Sequence, residues 1–429
     1  MSEFVIRGGE IVDPGGRRAA DVLVRDGVVV EVGAGLDAGE VLDATGTIVT
    51  PGFVDLHTHL REPGDEDAET IETGSRAAAL GGYTAVVAMP NTRPPLDDPT
   101  IVRAVLAIGA DALCEVVSSG CITQGRAGVA LAPMGELHGL GVRIFTDDGS
   151  CVMSAGLMRR ALEYSLGLPG AVVAQHAEDD SMCAGGSMHE GVVSSRLGIP
   201  GRPGEAEAII VARDIRLAAL TGAHVHFLHL STAASVDLVR EARRAGVRVT
   251  CEVAPHHFTL TDEACATFDP AFKVHPPLRS AADVEAVRAG LADGTIDAIA
   301  TDHAPHTPET KERPFEEAPP GMLGLETAAA LTLTELVEPG IITLEQALAA
   351  LSWNPARIAG IDDRHGRTVE PGAPANLCVL DPAATWTVDP GALASRARNT
   401  PYAGRALRGR IRHTVLRGER VVLDGRATR

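Results

Sequence analysis

No apolar run among the 429 residues is long enough to cross a bilayer, and Met1-Ser2-Glu3-Phe4 puts no basic residue ahead of a hydrophobic stretch. Neither a membrane span nor a secretory leader is expected, so the chain reads as soluble and cytoplasmic. Cysteine is sparse and dispersed: Cys114, Cys121, Cys151, Cys183, Cys251, Cys265 and Cys378 are odd in number and form no CxxC pair. That spacing argues against a disulfide framework and a thiolate zinc knuckle, and leaves buried, reduced thiols. Positive charge is short too, with 38 Lys and Arg against 57 Asp and Glu and a formal net charge of −19. Such an acidic surface repels phosphate backbones and anionic lipid, which speaks against nucleic-acid and membrane-surface roles. Lysine is the scarcest cation, since only Lys273 and Lys311 occur. What the chain does have is 45% hydrophobic residues, enough for a large core and too many for disorder.

The length suits two or three domains, or one α/β barrel of about 250 residues with additions. Residues 1–50 read as short strands (4–7, 21–24, 28–32) between Gly-rich turns, with Asp26-Gly27 as a hairpin turn. The tail looks alike, with strands at 376–380 and 411–416, a turn at 417–420, and a strand at 421–423. Isolated hairpins are marginal in water, so 1–50 and 361–429 are expected to pack together as one small β-domain. Residues 51–360 carry most of an alternating pattern. Eight apolar runs (48–57, 84–91, 113–119, 142–148, 171–176, 224–230, 247–253 and 297–303) end in polar or special residues. Helical stretches such as 70–80, 154–166, 205–219 and 231–245 lie between them. This alternation predicts the α/β class and a (β/α)8 TIM-type barrel. An open doubly wound sheet is disfavoured because no GxGxxG follows the first strand, and no short repeat marks a solenoid.

A barrel carries its site at the C-terminal ends of its strands, and there this sequence places His57, His59, Asp148, His176, His229 and Asp302. Residues i and i+2 of a strand point to one side, so His57 and His59 can grip a single ion. An isolated HxH is as readily a structural pair, and His176 or His229 alone could be an ordinary core histidine. His224 and His226 are read as noncatalytic. Asp302, closing an apolar run, is costly to bury without a cation or hydrogen-bond donors. Jointly, four histidines and two aspartates supply the nitrogen and oxygen ligands that suit Zn2+, with Mn2+ or Co2+ as substitutes.

The segment Pro51-Gly52-Phe53-Val54-Asp55-Leu56-His57-Thr58-His59-Leu60-Arg61-Glu62-Pro63-Gly64 resembles the metal motif of dihydroorotases of the amidohydrolase superfamily, in their bacterial type I branch. Ala88-Met89-Pro90-Asn91-Thr92, Phe145-Thr146-Asp147-Asp148-Gly149, His229-Leu230-Ser231-Thr232, Pro276-Pro277-Leu278-Arg279 and Ala300-Thr301-Asp302-His303-Ala304-Pro305-His306 are similar to that branch as well, in the same order. The likeness runs from about residue 45 to the C-terminus. It implies reversible hydrolysis of (S)-dihydroorotate to N-carbamoyl-L-aspartate in de novo pyrimidine (UMP) biosynthesis, by a hydroxide held on two metal ions. Carried over, His57, His59 and Asp302 would hold one ion, and His176 and His229 the other. Hydantoinase-like members bridge the two with a carbamylated lysine from an early strand. No lysine precedes Lys273 here, and in the resembling branch the second aspartate of FTDDG takes that role, which falls on Asp148. Asp147 is then structural or outside the ligand set. Asp302 would also act as general base and then general acid.

Arg61, Asn91 and His306 match the branch's carboxylate-binding positions, and Pro320 and Gly321 match a segment whose backbone contacts the pyrimidine ring. His275 stands where the branch commonly has Asn before Pro-Pro-Leu-Arg, and is carried over as a substrate contact. Ala375-Asn376-Leu377 replaces an Ala-Asp-Leu tail motif, a change confined to the small β-domain. The proline-rich stretch 304–323 is expected to form a wall over the barrel with a mobile tip. The resemblance implies a homodimer and association with aspartate transcarbamoylase. Two other readings remain: a different cyclic amidase (hydantoinase, dihydropyrimidinase or allantoinase), and a noncatalytic scaffold paralogue, which the six filled ligand positions disfavour.

Overall fold

The computed structural model describes residues 3–429, so Met1 and Ser2 of the opening segment lie outside the described residues. Each of the eight apolar runs contributes a strand: β1 (Phe53–Thr58), β2 (Tyr83–Ala88), β3 (Glu115–Ser118), β4 (Ile144–Phe145), β5 (Val172–Gln175), β6 (Val225–Phe227), β7 (Val249–Val253) and β8 (Ala298–Ile299). Strands β1 to β3 form one parallel set and β4 to β8 another. Single parallel bridges, Gly120↔Phe145 and Thr58↔His303, join the two sets at both edges and close the ring. Burial on both faces explains why these strands read as unbroken apolar runs instead of alternating ones. Inside the ring, Val54, Leu56, Val87, Ile144, Leu228 and Ala300 pack with Ala356 and Ile358.

The helices outside begin where short polar side chains satisfy free backbone N–H groups. Thr70 caps α1 (Ile71–Leu80), Asp98 caps α2 (Pro99–Gly109) and Ser154 caps α3 (Ala155–Ser165). Helix α4 (Glu205–Thr221) follows Gly204 without a side-chain cap; Thr232 then caps α5 (Ala233–Arg244) and Ser280 caps α6 (Ala281–Ala292). Ser231, expected inside the fifth helix, instead donates through its backbone N and hydroxyl to Glu207.

Two other expectations need correction. The run 48–57 is two strands, because Ile48–Pro51 pairs antiparallel with Leu377–Thr387 and the barrel strand starts only at Phe53. Gly52 is the pivot: a Cβ there would lie 2.1 Å from Thr84 Cγ2, so only glycine lets the chain pass. The turn after Leu416 is also shorter than expected. Arg417 and Gly418 alone, at φ 51° and 75°, reverse the chain before Glu419–Leu423. Asp26 and Gly27, at φ 49° and 87°, make the expected two-residue hairpin between Asp21–Arg25 and Val28–Gly33.

Both chain ends join in a seven-stranded sheet, in which Glu10–Asp13 and Ile48–Pro51 lie beside Leu377–Thr387, Ala406–Leu416 and Glu419–Leu423. One hydrophobic cluster draws Phe4, Ile6, Val22 and Val49 from one end and Leu377, Val379 and Val415 from the other. Neither end would bury that surface alone.

Glu115, at the start of β3, ties this unit to the barrel. Its carboxylate accepts from Arg364 Nε (2.8 Å), His365 Nε2 (3.0 Å) and Arg417 Nη2 (2.9 Å). Burial would raise its pKa, but these three donors outweigh burial and hold it well below the usual carboxylate range. Glu115→Gln should therefore destabilise the protein by about 2 kcal/mol at neutral pH, less than a fully buried pair because Arg417 is exposed. A depressed folded-state pKa gives stability that is complete above the unfolded value of about 4.3 and lost as pH falls below it. Urea unfolding at pH 7 and pH 3.5 should thus show a gap between variant and wild type that narrows in acid.

Candidate metal centre and active site

The strand ends bring six donors together. His57 is in β1 and His59 follows it, Asp148 lies beyond β4, His176 follows β5, His229 lies beyond β6, and Asp302 beyond β8; all six are buried. Asp148 stands among all four rings. Its Oδ1 is 3.3 Å from His57 Nε2 and 3.5 Å from both His176 Nδ1 and His229 Nε2, while Oδ2 is 3.5 Å from His59 Nε2. Asp302 Oδ1 is 3.1 Å from His59 Nε2 and 3.6 Å from His57 Nε2. His57, His59 and Asp302 form one group able to hold an ion, and His57, Asp148 and His229 another.

Electrostatics favours a cation here. Burial alone would depress His57, yet Asp148, Glu252 and Asp302 together push it well above its ordinary value. The same balance lifts His176 to about 9 against its burial, through Asp148 and Glu178. Burial would raise Asp148 and Asp302, but the neighbouring imidazoles hold both below the carboxylate range. His57 Nε2 and Asp148 Oδ1 nevertheless have no hydrogen-bond partner although both are buried. Unpaired buried polar atoms carry a penalty of roughly 1–3 kcal/mol each, which a divalent ion would remove by displacing protons from the rings. Imidazole and carboxylate donors suit a borderline ion, so the residues present fit a metal centre.

Three of the four rings are aimed by an acceptor on the far nitrogen. His57 Nδ1 contacts Glu252 Oε1 at 2.9 Å, His59 Nδ1 contacts Asn91 Oδ1 at 2.8 Å, and His176 Nε2 contacts Glu178 Oε2 at 3.2 Å. Glu178 is held in turn by Arg202 at 2.9 Å. Backbone strain concentrates here as well: His229, Asp302 and Arg61 adopt φ of 31°, 46° and 63°, a region costly for residues with a Cβ.

Above the donors opens a cavity of about 400 Å³. His59, Asp148, His176, His229 and Asp302 line it, whereas His57 is sealed beneath. Arg61, Asn91, His275, His306, Pro320 and Gly321 line the same cavity, so the structure brings all the sequence-predicted substrate residues to one place. Arg61 Nε donates to Pro305 O at 3.1 Å, which fixes the guanidinium plane. His306 Nε2 donates to Pro320 O at 2.7 Å. Burial pushes both His275 and His306 down to about 3, so each is neutral at physiological pH. Gly321, at φ 137°, would place a Cβ 2.8 Å from Ala304 Cβ and from His306 Nε2, and only glycine lets the loop come this close.

Several further residues shape the site without belonging to the set of ligands and substrate contacts expected from the sequence. Asp55 accepts from Thr301 N (2.7 Å) and Thr301 Oγ1 (2.6 Å), which fixes the backbone just before Asp302. Asp147 accepts from Ile122 N and Thr123 N, a loop-holding role. Asn399, from the excursion between Leu377–Thr387 and Ala406–Leu416, donates to Ala304 O (3.0 Å) and Gly321 O (3.1 Å) and accepts from His306 N (3.1 Å). The two lysines serve the same wall: Lys273 Nζ donates to Glu316 O, and Lys311 Nζ to Pro319 O and Gly321 O.

A family model described as dihydro-orotase-like matches residues 46–235, and one described as amidohydrolase family matches residues 212–422. A dihydroorotase from Pelotomaculum thermopropionicum is 52% identical over 100% of both chains, and one from Streptomyces coelicolor is 49% identical over 100% of both. One from Mycobacterium tuberculosis is 48% identical, covering 95% of each chain. Among solved structures, an L-hydantoinase (dihydropyrimidinase) from Arthrobacter aurescens has a TM-score of 0.90 at 26% identity, covering 100% of this chain and 98% of its own. A dihydropyrimidinase from Brevibacillus agri has a TM-score of 0.86 at 25% identity, covering 100% and 96%.

Asn399 holds the cavity wall through three side-chain hydrogen bonds that no neighbouring group duplicates on the His306 amide. Asn399→Ala should remove on the order of 2–3 kcal/mol of local stability. Amide exchange across 304–323 should then rise by roughly 10- to 100-fold with the barrel strands unchanged, as read by mass spectrometry.

Proposed function

The chain belongs to the dihydroorotase family of the amidohydrolases, and we infer from that membership and from the site that it hydrolyses (S)-dihydroorotate reversibly to N-carbamoyl-L-aspartate, a step of de novo pyrimidine synthesis. The observation that carries this reading is the presence of Arg61 in the same cavity as Asp302 and the histidine cluster. A ring amide bearing a carboxylate needs both a cationic grip and a place for hydrolysis, within reach of one another.

The enzyme is metal-dependent, and Zn2+, two per subunit, is the ion we propose. His57, His59 and Asp302 would hold one, His176 and His229 the other, with Asp148 shared; Mn2+ or Co2+ would substitute. When bound, such ions supply Lewis acidity, acidifying water and drawing charge toward the amide carbonyl oxygen.

The protein's own groups do the rest. Arg61, its Nε committed to Pro305, offers its terminal nitrogens to the substrate carboxylate in two parallel hydrogen bonds. Asn91 has spent its oxygen on His59, so its amide N–H groups remain as donors beside the guanidinium. His275 keeps Nε2 buried and unpartnered on the cavity wall, ready for a polar edge of the ring. Neutral His306, with Nε2 on Pro320, lends its remaining nitrogen, and the backbone of Pro320 and Gly321 flanks the ring. Asp302 takes the proton of the attacking water and returns it to the ring nitrogen as the C–N bond breaks. Ring closure runs through the same groups in reverse.

The hydantoinase and dihydropyrimidinase structures that resemble this fold do so at about half the sequence identity of the dihydroorotases. No helix among the described residues is long and apolar enough to cross a membrane. A cytoplasmic homodimer, with aspartate transcarbamoylase as an associated partner, completes the proposal.

Turnover of dihydroorotate beside dihydrouracil, hydantoin and allantoin tests the assignment: dihydroorotate should be strongly preferred, and preference for an uncharged ring overturns it. Asp302→Asn should lower kcat by about 10²- to 10⁴-fold, and near-normal turnover would contradict the proton-carrier role. With Asp148 as the bridge, metal-stripped protein should regain full activity from zinc in CO2-free buffer. A requirement for bicarbonate would reassign the bridge to a modified amine.

A further inference from the structure

Glu252 lies on β7 with no exposure to solvent, deep among the inward-facing side chains of the barrel, and no step of the hydrolysis uses it. A carboxylate in such a place is costly unless donors surround it, and apolar residues would fill a barrel interior at less cost. Its two oxygens are both engaged. Oε1 is 2.9 Å from His57 Nδ1, and Oε2 is 3.2 Å from His226 Nε2.

We propose that Glu252, set in place by His226 and Thr250 beneath it, is a positioning residue that fixes His57 as a metal ligand; this rests on the reading that His57 holds a metal. An ionised carboxylate only accepts hydrogen bonds, so both facing ring nitrogens must carry protons. With Nδ1 protonated, His57 presents the lone pair of Nε2 toward Asp148 and Asp302, where that atom is buried and unpartnered. His226, protonated at Nε2, accepts at Nδ1 from Thr250 Oγ1, 2.8 Å away. Thr250 has one proton to give, so it accepts from His224 Nε2, also at 2.8 Å. The hydrogen-bond directions along His224, Thr250, His226, Glu252 and His57 are therefore all determined, and every link depends on the carboxylate.

The fold explains how five residues from three strand regions line up. His226 pairs with Thr250 in the β6–β7 register, and two-residue spacing puts His224 with His226 and Thr250 with Glu252 on common faces. The column runs along the barrel toward the metal donors. A fully satisfied polar column in an apolar interior specifies one arrangement, whereas a half-satisfied one would be worse than none. His224 and His226 take no part in the chemistry, but they set the ring that does.

Glu252→Gln keeps the shape but must aim an amide N–H group at one of the two rings: toward His57 it inverts that ring's tautomer, and toward His226 it breaks the column that holds residue 252 in place for His57. Stripped full-length protein, titrated with zinc against a chromophoric chelator, should bind zinc 10- to 100-fold more weakly in this variant. At saturating zinc its KM for dihydroorotate should be unchanged, because no substrate contact is altered, and Glu252→Asp should recover part of the affinity. A folded Glu252→Gln protein that binds zinc within twofold of wild type overturns the proposal. Should that variant not fold, Thr250→Val removes one hydroxyl at constant shape further from the donors. It should weaken zinc binding several-fold, and an unchanged affinity overturns the proposal equally. Wild-type protein that binds no zinc would overturn the metal-centre reading itself, whereas tight wild-type binding with unaffected variants would overturn only the positioning role.

Discussion

Asp148 brings one carboxylate to within 3.5 Å of a nitrogen on each of four imidazole rings, in a place shielded from bulk water. Charges of both signs crowded there are tolerable only if each is matched, because an unmatched one in a poorly solvated site costs several kcal/mol. The surroundings follow from that demand. Glu252, Asn91 and Glu178 each take the far nitrogen of a ring, so that three rings are turned inward by acceptors. Arg202 offsets Glu178, and Asp55 pins the backbone ahead of Asp302. The apolar barrel then serves as a rigid frame in which a dense ionic cluster keeps its shape.

That frame also accounts for the strain. His229 and Asp302 take left-handed backbone conformations two and three residues past the ends of β6 and β8. Such conformations cost of order 1–3 kcal/mol each and persist only where the surrounding packing over-determines them. Here it does: Asp55 on β1 holds Thr301, and the Glu207 carboxylate holds Ser231 and Thr232 immediately after the turn at His229.

The barrel and the gathering of four histidines and two aspartates at its strand ends were legible in the sequence for a common physical reason. Parallel strands buried on both faces write continuous apolar runs, and a histidine or aspartate at the end of such a run stands out against them. Glu252, Asp55 and Asn399 were not legible, because each acts through a partner distant in the chain; Glu178 lies only two residues from His176, but past the end of the apolar run that marks that ring. Glu252 meets His57 across 195 positions, and Asn399 meets His306 across 93. Glu252 sits inside a strand run, where a lone carboxylate looks like an interruption until the ring facing it is known. The run 48–57 was misjudged in extent because Gly52 reads as apolar continuity in sequence but acts as a pivot between two sheets.

The wall over the cavity shows that the terminal β-unit is more than a cover for the chain ends. Its strands Leu377–Thr387 and Ala406–Leu416 run past the barrel edge and send a segment back over the mouth, which delivers Asn399 to Ala304, His306 and Gly321. The chain's two lysines tie the same loop, Lys273 from outside it and Lys311 from within. An ammonium concentrates three donors at one point, so Lys311 can reach the carbonyls of Pro319 and Gly321 together, where a flat guanidinium fork would need a planar opening. Burial, with Lys273 nearby, disfavours the charged form of Lys311 and draws it down to about 7. A segment fixed in this way presents Pro320, Gly321 and His306 to a ligand already in place. Binding then forfeits little ordering entropy, which is how a small ring with few contacts can be gripped firmly enough to react.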